Sequence, residues 1–173
     1  QQNEVWEHWK QVENSSEDNF RSDIRNPLPS DIQWYLAEIE GRDLQKLYIL
    51  SSDDWRELTE TFKLINIANA INNDICNEKV KDIKEKKEIY QNNINSLDKK
   101  FILVAPAIEG NFTVLEGNKR AIALQTLYKL KGNHIYLGIS NWIKNYVWAR
   151  YSKSSKQNLN SQFPLLSSSN LLF

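Results

Sequence analysis

An α/β (α+β) fold, a small mixed β-sheet with helices, is what three features of the sequence predict. The stretch 101–124, FILVAPAIEGNFTVLEGNKRAIAL, holds two short apolar runs around a turn, and the second run breaks at Glu116-Gly117 into a basic, helix-forming segment. Beyond a stop at Gly132, Ile135-Tyr136-Leu137-Gly138-Ile139 supplies another β-like run. Upstream of residue 75 the apolar residues recur at helical spacing instead. The expected organisation is a helical N-terminal region over 1–74, an α/β domain over 75–151 and a Ser/Asn-rich tail over 152–173.

Each element has its own signal. Trp6 and Trp9, three apart, mark a short amphipathic helix, followed by the polar NSSED loop and the breakers Pro27 and Pro29. Ser30-Asp31 reads as the N-cap of a helix reaching Glu40, with Ile32, Tyr35, Leu36 and Ile39 on one face and Gly41 as its stop. Residues 44–50 read as a short helix and then a strand. Ser51-Ser52-Asp53-Asp54 caps a further helix with Trp55, Leu58, Phe62 and Ile65 as its apolar positions, continuing into Ile71. The charged segment 77–93 is a helix with Val80, Ile83 and Tyr90 as its stripe and a solvated Lys/Glu face. Strands follow at 101–105 and 112–115, joined by a turn at Gly110-Asn111, then a helix over 118–131 and a strand over 135–139. Ser140-Asn141 caps a last helix over 142–151. Leu165, Leu166, Leu171, Leu172 and Phe173 give the tail residues with which to dock.

Composition narrows the function classes. The 173 residues carry 22 basic and 22 acidic side chains, so no global field draws the chain onto nucleic acid or an anionic membrane. No apolar run approaches the roughly 20 residues that span a bilayer, and no membrane partner is expected. Gln1 to Lys10 has no apolar core of a signal peptide. The single cysteine, Cys76, excludes an internal disulfide and a Cys-cluster metal site, which suits a cytoplasmic location. His8 and His134, far apart in sequence, do not make a zinc site. The abundance of Asn, Lys and Ile has the mark of an AT-rich bacterial or phage genome.

The chemistry is expected at the strand-to-helix break. Gly117 lets the backbone approach a ligand closely, and a helix starting there directs its first N–H groups and the positive end of its dipole into the turn. Lys119 and Arg120 add two cations in that first turn, where they oppose the dipole unless something negative compensates them. A phosphate is the simplest candidate, and Gly117, Asn118, Lys119 and Arg120 are its expected cradle. The bland alternative is an ordinary turn in which Arg120 and Lys119 pair with carboxylates, Glu116 among them. Ser140 and Asn141, directly after a strand, are candidates to line the same nucleotide pocket, because ligands of α/β sheets gather at the carboxyl ends of strands.

With these elements placed, residues 80–140 resemble the ParB/sulfiredoxin-like (ParB N-terminal-like) superfamily. The resemblance rests on Val114-Leu115-Glu116-Gly117-Asn118-Lys119-Arg120-Ala121 and the following strand Ile135-Tyr136-Leu137. It implies a G-x-x-R turn that holds nucleotide phosphates, with ATP or CTP as the ligand, Mg²⁺ as an accompanying ion, and Glu116 as general base or Mg²⁺ contact. Sulfiredoxins carry a Cys where this chain has Asn118, so the resemblance does not extend to sulfinic-acid repair. The roughly 30 residues after Ile139 are too few for the helix-turn-helix domain of partition proteins.

The leading expectation is binding of a nucleotide or other phosphorylated small molecule, with phosphoryl transfer or hydrolysis as the associated chemistry. A ParB-like nuclease is an alternative, requiring a second carboxylate, for which Glu109 is the candidate. Another is a non-catalytic nucleic-acid- or protein-binding module of a phage or bacterial conflict system.

Overall fold

The computed structural model describes residues 2–13, 28–51, 55, 58–59, 61–73, 78–92, 100–146 and 148–149. The cap proposed at 52–54, Cys76 and the tail lie outside the described residues. A mixed five-stranded sheet forms the centre, in the order β1-β5-β3-β4-β2. Its strands are β1 (Gln33–Glu38), β2 (Leu47–Ile49), β3 (Phe101–Ala105), β4 (Phe112–Glu116) and β5 (His134–Ile139). The pairs β3/β5 and β2/β4 are parallel, whereas β1/β5 and β3/β4 are antiparallel. The α/β fold predicted from sequence is therefore the fold observed. Among the described residues the helices are α1 (Gln2–Glu13), α2 (Leu64–Asn72), α3 (Glu78–Asn92) and α4 (Asn118–Thr126).

Both faces of the sheet are covered, which is why β3 reads as an unbroken apolar run and every residue of β4 is buried, Thr113 and Glu116 included. On one face, Phe101, Leu103, Val114 and Leu137 meet α2, α3 and α4. Leu64, Ile67, Ala68 and Ile71 of α2 fall at helical spacing and are all buried. Helix α4 packs against both α2 and α3, so all of Ala121, Ile122, Ala123, Leu124, Gln125 and Thr126 are buried. On the other face Val5 of α1, Trp34, Ile102, Val104, Leu115 and Ile143 form a second cluster.

Several sequence expectations are corrected. The helix expected up to Glu40 is strand β1: Ile32, Trp34 and Ile39 are buried, while Tyr35 and Leu36, assigned to its apolar face, are 42% and 53% exposed. A six-residue ladder to β5 overrides the local helical spacing. Two segments of the region expected to be helical, β1 and β2, instead complete the sheet at its two edges, beside β5 and β4. Trp55 is helical as expected, but the helix is not continuous to Ile71: Phe62 accepts a hydrogen bond from Ile49 N–H at 3.0 Å and Lys63 bridges Tyr48, and α2 starts at Leu64. Residues 44–46 form a 3₁₀ turn leading into β2, as read from sequence.

The helix expected to reach Lys131 stops at Thr126. Tyr128 takes φ +57° while Tyr128 N–H bonds Gln125 O at 3.1 Å and Lys129 N–H bonds Leu124 O at 2.9 Å, the Schellman pattern with tyrosine where glycine is usual. The last expected helix is a 3₁₀ segment, Asn141–Asn145, ending where Tyr146 turns extended. No helix among the described residues is long and apolar enough to cross a membrane.

Candidate functional site

The break predicted to carry chemistry lies at the carboxyl ends of the parallel pair β2/β4. Gly117 is the N-cap of α4 and adopts φ +91°, the left-handed region that favours glycine. A Cβ there would come within 2.7 Å of Phe101 Cδ1 and 2.9 Å of Arg120 Nη2. Gly117 O accepts from Ala121 N–H at 2.7 Å, the first bond of the helix. Ahead of that bond, the first N–H groups of the helix have no partner within it, as helix geometry requires.

Each side chain of the first turn has a protein partner. Asn118 ties the residue that follows β2 to β4: its Oδ1 accepts from Leu50 N–H at 3.2 Å and its Nδ2 donates to Leu115 O at 3.4 Å. Lys119 donates to Asp82 of α3, in a pair whose side chains are 42% and 51% exposed. That hydrogen bond, and then the Lys119 charge, holds the Asp82 carboxyl below its ordinary range. Arg120 is more enclosed. Its Nη2 donates to Glu116 Oε2 and to Lys100 O, each at 3.2 Å, and its guanidinium lies 4.3 Å from the centre of the Phe101 ring. The Glu116 and Arg120 side chains are only 7% and 11% exposed. Tyr90 of α3 faces the same pair, and burial above all pushes its phenol pKa up.

Glu116 is thus engaged by Arg120, and no group of three His, Cys, Asp or Glu residues suited to a metal occurs among the described residues. The donor set does not fit a resident Mg²⁺. Glu109, the second carboxylate a nuclease needs, lies in the β3–β4 turn near Lys46, at the opposite end of β4 from Glu116.

Ser140 and Asn141 do not join the turn. Strand β4 runs antiparallel to β3, so Glu116 sits opposite Ile102, whereas Ser140 N–H bonds Ala105 O at 3.2 Å. Roughly 13 Å of strand separates the two groups. Ser140 Oγ donates to Asp31 Oδ1 at 2.8 Å and accepts from Trp142 N–H at 3.2 Å; Asn141 is exposed. A carboxylate beside Ser140 makes that end unsuited to a phosphate.

Sequence reasoning missed Asp82, Lys100, Phe101 and Leu50 as partners of the turn. Asp82 is one of many charges in a solvated helix, and Leu50 contributes a backbone amide, which no side-chain pattern reports. Two cavities, of about 490 and 390 Å³, lie away from residues 116–120. The larger is bounded by Pro29, Ser30, Asp31, Trp142, Asn145 and Tyr146. Comparison with known proteins finds no matching protein-family model, no matching curated protein and no matching solved structure.

Proposed function

We propose that the chain binds a nucleotide or other phosphorylated small molecule, ATP or CTP being the forms to test, at the 117–120 turn, in a cytoplasmic setting. The observation that supports this most is the left-handed Gly117, which starts α4 at the carboxyl ends of two parallel strands with the half-exposed Lys119 in its first turn. The backbone N–H groups of Asn118 and Lys119 and the Lys119 ammonium hold the phosphate, which displaces Asp82 as the counter-ion. Arg120, occupied by Glu116, Lys100 and Phe101, sets the shape of the turn and does not clamp the ligand. Glu116 serves as its partner. The reading is therefore binding, with no catalytic step assigned to Glu116.

The test is calorimetry with ATP, CTP and pyrophosphate on the wild type, Lys119→Ala and Asp82→Asn. Wild type binds, Lys119→Ala binds weaker, and Asp82→Asn binds tighter because the competing carboxylate is gone. At ligand tenfold above Kd the wild type gains about 1.4 kcal/mol of stability. Absence of binding by all three ligands, or equal binding by all three proteins, refutes the proposal. Arg120→Ala is a poor probe, since it removes the guanidinium that bonds the buried Glu116 carboxylate and so confounds folding with binding.

A further inference from the structure

The 490 Å³ cavity lies at the other end of the sheet, where β1 begins and β5 ends. Among the described residues its wall combines two aromatic residues, Trp142 and Tyr146, with one charged residue, Asp31. Trp142 is 62% exposed although it is among the largest apolar side chains of the protein. Tyr146 is braced from behind by Trp148, their rings 4.8 Å apart and 30° from parallel.

These groups are held in place. Ser140, 5% exposed, links Asp31 to the Trp142 backbone through its hydroxyl, which donates to Asp31 Oδ1 and accepts from Trp142 N–H. Ile143 N–H bonds Ser140 O at 3.0 Å and Tyr146 N–H bonds Ile143 O at 3.2 Å, so the short turn carrying both aromatics is fixed to β5. The negative charge of Asp31 reaches Tyr146: after burial, it is the second cause that raises the phenol pKa.

We propose that this cavity binds a compact organic cation whose positive centre carries alkyl groups, a choline-type quaternary ammonium. The faces of Trp142 and Tyr146 attract a positive centre through their ring quadrupoles, and the alkyl groups bury apolar surface there. Asp31 supplies the opposite charge. Among the described lining residues the only charge is the carboxylate of Asp31, which disfavours a phosphate or carboxylate ligand.

The experiment titrates the 173-residue chain by calorimetry with choline, with glycine betaine and with 3,3-dimethylbutan-1-ol, the uncharged isostere of choline. The variants are Asp31→Asn and Trp142→Leu; the second removes an exposed ring outside the core and so keeps the test valid if the first fails to fold. Choline binds saturably, betaine weaker because its carboxylate meets Asp31, and the alcohol weaker still. Each variant weakens choline by about tenfold, the scale of one desolvated cation–aromatic or ionic contact. Absence of choline binding, equal binding of choline and the alcohol, or unchanged binding in Trp142→Leu overturns the proposal. Failure here leaves the phosphate reading intact, because its ligands and variants lie at the opposite end of the sheet.

Discussion

Gly117 and Phe101 are in contact across the end of the sheet: the place where a Cβ of residue 117 would stand is only 2.7 Å from Phe101 Cδ1. The glycine is required twice, by its φ of +91° and by this approach. Gly117→Ala is expected to destabilise the chain by about 1–3 kcal/mol, as a left-handed non-glycine residue under contact does. A urea midpoint unchanged from wild type would show that the turn relaxes freely.

Glu116 and Arg120 form a buried pair, so the two residues are expected to behave as a unit. Glu116→Gln alone removes the carboxylate charge that faces the enclosed guanidinium and costs about 3 kcal/mol or more, whereas Glu116→Leu combined with Arg120→Met costs less than the sum of the single changes. Additive losses in denaturant melts would mean the pair is not coupled.

The Lys119–Asp82 pair carries a pH signature. The Asp82 pKa is lower in the folded chain than its ordinary 3.8, so its contribution to stability is present above that value and disappears as pH falls through the lower folded value. The stability difference between wild type and Asp82→Asn is therefore expected to be level near neutrality and to shrink below about pH 4. Added salt shrinks it too, since the pair is exposed. Thermal melts across pH and salt check both trends; a difference that grows on acidification contradicts the assignment.

Tyr128 closes α4 in the left-handed region while 83% exposed, so its ring loses little by removal. Tyr128→Gly is expected to stabilise the chain by about 0.5–1 kcal/mol, which at this size raises Tm by roughly 2–4 °C per kcal/mol. Calorimetric scanning of the variant is the measurement, and a lowered Tm would show that the ring holds a contact.

The β-rich centre was legible locally. Phe101, Ile102, Leu103, Val104 and Ala105 are all buried because the strand is covered on both faces, and a strand of that kind appears as a continuous apolar run. Gly117 was legible as well, because a glycine between a β-branched run and a helix former marks a backbone position that other residues resist. The residues of the break thus determined where a strand ends and a helix starts.

Tertiary structure alone decided what surrounds that break. β1 carries residues at helical spacing and becomes a strand because β5 offers it an edge, a partner about a hundred residues away. Arg120 is enclosed by the Lys100 carbonyl and Phe101 because β3 pairs with β4, and Lys119 meets Asp82 because α3 packs beside α4. The antiparallel course of β4 sends Ser140 and Asn141 to the far end, where Asp31 and Trp142 meet through one serine hydroxyl. Sequence spacing reports the neighbours of a residue along the chain, whereas strand direction and helix packing choose its neighbours in space. The position of the turn and the Glu116–Arg120 pair, four residues apart, were therefore readable before folding, and the partners Asp82, Lys100 and Phe101 were not.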